Sequence, residues 1–153
     1  MSGNPGPLAG RRVLVVEDEF LIAMEMKRWL RGAGVEVVGP VASVDQALDL
    51  IEDDCPEAAV LDVNLGGGET AYPIADKLGV LGVPYLFATG DVKLADTSVY
   101  RHRPRLEKPF LEVELVRALT ELIVTAQPGL PARQVPGSRD ASGPRSTGLS
   151  RQR

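Results

Sequence analysis

The sequence predicts an α/β protein built on a doubly wound, parallel sheet of five strands. Five short apolar runs alternate with segments of helical periodicity between residues 11 and 126, a pattern that gives a parallel sheet with helices on both faces. The first run, residues 13–16, is apolar throughout and rich in valine, as expected of a strand covered on both faces. Polar residues directly follow several of the runs, at the strand ends where ligands of such sheets bind.

The first half of the chain contains two predicted strand–helix units. The first strand covers residues 13–16, and a helix over residues 19–31 follows it. The second strand covers residues 35–38 and is expected to end at Gly39-Pro40. The tetrapeptide at residues 43–46 (Ser-Val-Asp-Gln) is a capping box that begins a helix reaching about Asp53. The inward positions predicted for the first helix, from three- and four-residue steps, are Phe20, Ala23, Met24, Lys27 and the pair Leu30/Arg31.

The second half contains three more predicted strands and two helices. A strand over residues 58–63 is followed by a glycine-rich loop and a helix over residues 70–78, which Gly79 and Gly82 are expected to end. Strands follow at residues 84–89 and 106–107, and the last helix covers residues 111–126. The apolar face predicted for this helix consists of Val113, Leu115, Val116, Leu119, Leu122 and Ile123.

Three segments lack a clear pattern. Residues 1–10 are turn-forming and are expected to be disordered, as are residues 127–153, which are rich in Pro, Gly, Ser and Arg. Residues 90–104 contain few periodic apolar positions, so we expect one weak helical turn or an irregular loop there, and hence a shortened fourth helix. The predicted folded domain therefore covers residues 11–126.

Charge and composition exclude several classes of function. The net charge is −4, and the last 27 residues carry a balance of +4 from five arginines and one aspartate, so the rest carries −8. Such a body is not expected to bind DNA, because phosphate contacts need clustered Lys and Arg. A single cysteine excludes an internal disulfide. No signal peptide or membrane-spanning run is evident, so we expect a cytoplasmic protein without a membrane partner.

Three acidic residues are expected to converge at one edge of the sheet. Glu17 and Asp18 follow the first strand, and Asp62 lies at the end of the third. Carboxylates this close repel each other, and one would have to protonate unless a cation bound. Mg²⁺ suits a site of few carboxylates that retains several waters. The alternative for Glu17 and Asp18 alone is a capping role, because acids are favoured at a helix N-terminus.

Asp62, Thr89 and Lys108 together indicate phosphoryl chemistry. A carboxylate oxygen can attack phosphorus to give an acyl phosphate. Lys108 supplies a cation and Thr89 a hydroxyl for the phosphoryl oxygens. Taken singly, these are an ordinary surface lysine and an ordinary strand-end threonine, and only their joint position at strand ends supports the chemistry. The glycines at residues 66–68 do not form a P-loop, because no Gly-Lys-Ser/Thr follows them.

Residues 11–126 resemble the receiver domain of bacterial two-component response regulators. The stretches that match are Val13-Leu14-Val15-Val16-Glu17-Asp18-Glu19, Ala59-Val60-Leu61-Asp62-Val63-Asn64-Leu65, Phe87-Ala88-Thr89-Gly90 and Glu107-Lys108-Pro109-Phe110. The resemblance implies a flavodoxin-like fold. It also implies a signalling protein rather than an enzyme.

The resemblance assigns the phosphoryl site. It implies that Asp62 accepts a phosphoryl group from a histidine kinase or a histidine phosphotransfer protein, and that the protein then binds a downstream protein partner or relays the phosphate. It implies that Thr89 and Lys108 contact the phosphoryl oxygens, and that the Lys108–Pro109 peptide is cis.

The resemblance also assigns a metal site. It implies that Asp18, Asp62 and the backbone carbonyl of Asn64 bind Mg²⁺, with Glu17 holding a metal-bound water. The expected cofactor is therefore Mg²⁺ alone.

The chain departs from the family pattern at one switch position. Most receivers have an aromatic residue three positions before the lysine, and this chain has Arg105 there. With the short segment before it, this change looks like the stand-alone receivers that carry a Phe-Ala-Thr-Gly signature. We therefore treat Arg105 as the switch candidate, because a guanidinium cannot be buried like a tyrosine ring without a paired anion.

Two alternatives stay open at this point. One is a Mg²⁺-dependent phosphatase with an aspartyl nucleophile, although such enzymes usually have an acid two positions after the nucleophile, where this chain has Asn64. The other is a pseudo-receiver that binds partners without phosphorylation, although the acids, Thr89 and Lys108 are all present.

Overall fold

The computed structural model describes residues 6–90 and 103–126. The chain divides into two compact units, residues 1–123 and 124–153, and only the end of the last helix is described in the second. The elements of the described residues are β1 (Arg12–Val16), α1 (Phe20–Gly32), β2 (Glu36–Val41), α2 (Val44–Asp53), β3 (Ala58–Leu61), α3 (Tyr72–Leu81), β4 (Tyr85–Thr89), β5 (Arg105–Glu107) and α4 (Glu112–Ala126).

The strands form one five-stranded sheet in the order β2-β1-β3-β4-β5. Every neighbouring pair is parallel, which confirms the predicted fold class. β1 pairs with both β2 and β3, so the strand order reverses beside it. In open α/β sheets, the ligand crevice lies beyond the carboxyl ends of the strands at such a reversal. The fold therefore places a candidate site beyond the ends of β1 and β3.

The core lies on both faces of the sheet, as the uniformly apolar strands predict. Leu14 and Val16 of β1 belong to the cluster that includes buried residues of α2 and α3. Val13 and Val15 belong to the opposite cluster, which includes buried residues of α1 and α4. Successive side chains of a strand point to opposite faces, so a central strand of a doubly wound sheet must be apolar at every position.

β2 does not end at Gly39-Pro40, contrary to the prediction. The pairing register shifts between Leu14 and Val16, where Val38 and Val41 are the partners, so Gly39 and Pro40 form an irregularity within the strand. Gly39 has a φ of 92°, and a Cβ there would lie 2.9 Å from the Val41 nitrogen. Only glycine accommodates both features at little cost. The strand resumes at Val41.

Two predicted helix faces were partly wrong. In α1 the buried residues are Ala23, Met26 and Leu30, whereas Phe20 is 70% exposed. Met26 lies two positions, or about 200° around the helix, from the predicted Met24. The helix includes Gly32 as its last residue. Similarly, α3 continues through Gly79, and Gly82 caps its C-terminus.

The face of α4 needs one similar correction. Leu115, Leu119, Leu122 and Ile123 are buried as predicted. Val113 is 54% exposed, because it lies two positions before Leu115 and so points away from that stripe.

Some predictions concern segments that the structure describes in part or not at all. Ordered contacts extend back to Gly6, whose carbonyl accepts from the Ala9 nitrogen at 3.1 Å, and Leu8 is buried in the core. Residues 1–5, residues 91–102 of the predicted irregular segment 90–104, and the predicted tail, residues 127–153, lie outside the described residues. Among the helices described, none combines the length and the apolar character that a membrane span requires.

Candidate functional site

Three carboxylates meet beyond the carboxyl ends of β1 and β3. Glu17 and Asp18 follow β1 directly, and Asp62 follows β3. Glu17 and Asp62 are buried, with 2% and 5% of their surfaces exposed, whereas Asp18 is exposed. One oxygen of each carboxylate lies within 4.8 Å of the other two. The structure thus brings together the three acids that the sequence placed at strand ends.

Backbone hydrogen bonds of the sheet hold the two buried acids. The Glu17 nitrogen donates to the Val41 carbonyl and the Asp62 nitrogen donates to the Val16 carbonyl, each at 2.9 Å. The Glu17 carboxylate also accepts from the Glu19 nitrogen at 3.1 Å, just before α1. One Glu17 oxygen thus holds the backbone just before α1, while the side chain stays within the acidic cluster.

Lys108 extends into this cluster from the loop after β5. Its Nζ lies 2.8 Å from Glu17 Oε1 and 3.3 Å from Asp62 Oδ2. A more distant ion pair, at 3.8 Å, joins it to Glu19. The backbone nitrogen of Lys108 donates to the Thr89 carbonyl at 2.9 Å, and the Lys108–Pro109 peptide is cis.

The electrostatics of the cluster favour binding of a cation. Burial, followed by the charge of Glu17, raises the pKa of Asp62 from 3.8 to about 7. Burial alone would lower the pKa of Lys108. The hydrogen bond with Glu17 and the charge of Glu17 outweigh this effect, Asp62 adds to theirs, and the net result is a raised pKa for Lys108. Three carboxylates against one ammonium leave uncompensated negative charge when all are ionised, and additional positive charge would stabilise the ionised state.

The donor set fits Mg²⁺. The site offers hard carboxylate oxygens from Glu17, Asp18 and Asp62, grouped within 4.8 Å, and Asp18 is open to solvent. Mg²⁺ prefers oxygen ligands and keeps several waters, so a small acidic cluster with one solvent-facing side suits it.

The other predicted site residues lie around this cluster. Asn64 is exposed at the start of the β3–α3 loop and pairs with Thr70 in an isolated bridge. Thr89 is 1% exposed at the end of β4, next to β5. Arg105 is exposed at the start of β5, opposite Phe87 of β4. The strand ends thus place Thr89 and Asp62 on the same edge of the sheet.

Two neighbours of the site were not assigned a role there from the sequence. Glu19 forms an ion pair with Lys108, a residue far away in the chain. Gly66 lies beside Asp18, since a Cβ built on it would be 3.3 Å from Asp18 Oδ2. Gly66 is one of three consecutive glycines, and no local sequence signal separates it from the other two.

An apolar groove adjoins the site. Its volume is about 550 Å³, and it lies between α1 and the loop that joins β5 to α4. Trp29 and Phe110, whose ring centroids are 6.3 Å apart, line it together with Lys108. At its rim Leu21 is 79% exposed.

Comparison with known proteins identifies the family. No family model matches the chain. The solution structure of SdrG from Sphingomonas melonis Fr1 matches with a TM-score of 0.66 and 41% sequence identity, covering 77% of this chain and 98% of that one. The chain belongs to the family of response regulator receiver domains. The receiver domain of the sensor histidine kinase PA1611 from Pseudomonas aeruginosa PAO1, solved with a magnesium ion in its active site cleft, matches with a TM-score of 0.65 and 26% identity, over 76% of this chain and 99% of that domain.

A longer protein is also similar. The transcriptional regulatory protein PdtaR of Mycobacterium tuberculosis is 33% identical over 121 residues, which is 75% of this chain. This chain spans 57% of the length of PdtaR. The receiver part of this chain therefore has relatives both of its own length and within longer proteins.

Proposed function

We propose that this protein is a stand-alone response regulator that accepts a phosphoryl group on Asp62 from the phosphohistidine of a histidine kinase or histidine phosphotransfer protein. One observation carries the proposal. The buried Asp62 carboxylate lies at the end of β3, within 4.8 Å of the acids Glu17 and Asp18 and 3.3 Å from the Lys108 ammonium. The similarity to SdrG, which covers 98% of that chain, supports a receiver-type site.

The transfer requires an ionised Asp62. One of its oxygens attacks the phosphorus of the donor, and the new O–P bond forms as the P–N bond to the imidazole breaks. The leaving imidazole carries away the electron pair of that bond and takes up a proton. Burial and Glu17 hold the pKa of Asp62 at about 7, so the attacking form depends on positive charge nearby.

Lys108 and Thr89 are proposed to stabilise the transferred group. The Lys108 ammonium is already 3.3 Å from Asp62 Oδ2 and can follow the charge onto the phosphoryl oxygens. Thr89, at the end of the adjacent β4, offers its hydroxyl to another oxygen. Bound Mg²⁺, held by Asp18, Asp62 and the Asn64 carbonyl with Glu17 beside it, would supply the remaining positive charge. The magnesium in the similar PA1611 receiver supports this assignment.

The apolar groove beside Lys108 is the proposed docking surface for the phosphodonor protein. It adjoins the acidic cluster through Glu19 and Lys108, and Leu21, which also lines it, is exposed. A phosphohistidine on a protein must approach Asp62 within bonding distance, so the donor must cover the surface around the site. Exposed apolar side chains at that surface lower the free energy of such a complex when they are buried.

The output is proposed to be a downstream protein partner in the cytoplasm, or relay of the phosphate, with neither DNA nor a membrane as partner. Arg105, at the start of β5, is proposed to change its contacts on phosphorylation. Arg105 is exposed, and a charged side chain resists burial without an anionic partner. Phe87 of β4 pairs with both Leu61 and Arg105, so Arg105 is level with the residue before Asp62, where a phosphoryl group would add negative charge.

The proposal is tested by incubating the protein with Mg²⁺ and acetyl phosphate and measuring its intact mass. The wild type is expected to gain the mass of one phosphoryl group, and Asp62→Asn is expected to gain none while staying folded. Asp49→Asn, an exposed aspartate on α2, is the matched control and should be labelled like the wild type. Labelling of Asp62→Asn at the wild-type rate would refute the assignment.

A further inference from the structure

Gly66 lies beside Asp18, one of the three carboxylates of the site. The β3–α3 loop passes Asp18, and a Cβ added to Gly66 would lie 3.3 Å from Asp18 Oδ2. That separation is shorter than the usual distance between non-bonded heavy atoms, so either the carboxylate or the loop would have to shift by a few tenths of an ångström. The missing side chain at position 66 therefore leaves room for the observed position of Asp18.

The two glycines that follow share the backbone conformation of Gly66 but not this contact. The φ angles of Gly66, Gly67 and Gly68 are 84°, 59° and 80°, all in the left-handed region. A Cβ at Gly67 or Gly68 would meet nothing within 4 Å. The backbone thus favours glycine at all three positions, whereas only Gly66 touches the acidic cluster.

The loop that carries Gly66 is fixed on both sides. The Glu69 nitrogen donates to the Gly66 carbonyl and the Leu65 nitrogen donates to the Glu69 carbonyl, each at 2.9 Å. The Glu69 side chain accepts from the Val44 nitrogen at 3.3 Å, which joins the loop to the start of α2. A side chain at position 66 would therefore displace the exposed Asp18 carboxylate more readily than it would displace the loop.

We propose that Gly66 is a positioning residue for the metal site, which keeps Asp18 Oδ2 within reach of the other two acids. The inference rests on the proposed function, because it concerns the Mg²⁺ site that phosphorylation needs. Glu17 and Asp62 are held by burial, whereas Asp18 is solvent-facing and has more freedom to move. Mg²⁺ requires near-ideal ligand geometry, so a small displacement of one carboxylate weakens binding.

The test compares Gly66→Ala with Gly68→Ala. Both variants place alanine at nearly the same positive φ, so both are expected to lower the melting temperature of the metal-free protein by similar amounts. Only Gly66→Ala is expected to weaken Mg²⁺ binding, by about tenfold in a calorimetric titration, as substitutions around metal ligands do. If Gly66→Ala did not fold, Gly66→Asn and Gly68→Asn would replace the pair, since Asn tolerates the left-handed region.

A second measurement separates positioning from a general loss of stability. The rate of labelling by acetyl phosphate in Gly66→Ala should be low at limiting Mg²⁺ and should reach that of Gly68→Ala at saturating Mg²⁺. Equal Mg²⁺ affinities in the two variants would overturn the inference and leave phosphorylation of Asp62 standing. A wild type that bound no Mg²⁺ would overturn the proposed function together with the inference.

Discussion

The Lys108 ammonium lies 2.8 Å from Glu17 Oε1, nearer than its 3.3 Å distance to Asp62 Oδ2. The lysine therefore lies between two acids, with its shorter ion pair to the one that is not the proposed phosphoryl acceptor. Both partners are buried or nearly so, with 15% of the Lys108 side chain and none of the Glu17 side chain exposed. Lys108 thus offsets part of the charge of the acidic cluster before any phosphoryl group arrives.

Lys108→Met is expected to destabilise the metal-free protein at pH 8. The substitution leaves Glu17 without its buried cation, which costs about 1–3 kcal/mol of unfolding free energy. Saturating Mg²⁺ should recover part of the loss, because it supplies positive charge to the same carboxylates. Urea denaturation with EDTA and with Mg²⁺ measures both effects. Lys77→Met on α3 is the control, and an equal loss in that variant would show that the effect does not arise in the site.

The stability of the metal-free protein is expected to fall as the pH rises from about 4 to 7. Burial and the charge of Glu17 raise the pKa of Asp62 from 3.8 to about 7, so in this range the folded state holds a proton that the unfolded state releases. Asp62→Asn should remove this contribution and be more stable than the wild type at pH 8 in EDTA. Urea denaturation across this pH range provides the measurement, and identical pH profiles for the two proteins would contradict the raised pKa.

Mg²⁺ binding should have the opposite pH dependence. Asp62 must lose its proton to bind the metal, so Mg²⁺ affinity should weaken as the pH falls below about 7. Calorimetry in buffers of different ionisation enthalpy should show the release of one proton per metal near pH 6. Affinity that stayed constant from pH 6 to 8 would contradict this.

Strand patterns predicted most of the fold, and the errors have specific causes. The inner strands β1, β3 and β4 are predictable because each is buried on both faces, whereas β5 has only Leu106 between two exposed charged residues. The sequence predicts that β2 ends at Gly39-Pro40. In the structure, a register shift against β1 lets the strand continue to Val41. Periodicity shows that a helix has an apolar face, but it does not show which of two neighbouring stripes of side chains packs on the sheet. The pattern therefore wrongly places Phe20 and Val113 inward.

The site was predictable to the extent that it lies at strand ends. Glu17, Asp18, Asp62, Thr89 and Lys108 each follow a strand or end one, so a parallel sheet must bring them to one edge. The closeness of position 66 to Asp18 brings two loops together, and the 3.3 Å distance from a Cβ built there depends on how the β3–α3 loop folds. Nothing in the sequence of three glycines specifies that distance.

Leu21→Glu is expected to slow phosphotransfer from a histidine kinase by about tenfold, because it places a charge on the apolar surface proposed to dock the kinase. The rate with acetyl phosphate should not change, because a small donor does not need that surface. Val80→Glu is the matched control, since Val80 is 83% exposed on α3 and lies outside the groove. A kinase that phosphorylates the wild type is used for all three proteins, and equal rates in Leu21→Glu and Val80→Glu would refute the assigned surface.

Arg105→Ala is expected to keep phosphorylation of Asp62 while reducing its structural consequence. In the wild type, beryllium fluoride with Mg²⁺ is used in place of the phosphoryl group. It should change amide hydrogen exchange in β4 and β5, because a backbone hydrogen bond from Lys108 to Thr89 joins the ends of these strands. The variant should show a smaller change in β5 at an unchanged labelling rate. Arg117→Ala, an exposed arginine on α4, is the control. An exchange response in Arg105→Ala equal to that of the wild type would remove Arg105 as the switch residue.

The central claim, that Asp62 carries the phosphoryl group, is tested most directly by trapping the acyl phosphate. Borohydride reduces an aspartyl phosphate to homoserine, and peptide mass mapping then locates the converted residue. We predict conversion of Asp62 alone, and only in samples that received both Mg²⁺ and acetyl phosphate. Conversion of Glu17, Asp18 or another acid in place of Asp62 would contradict the account.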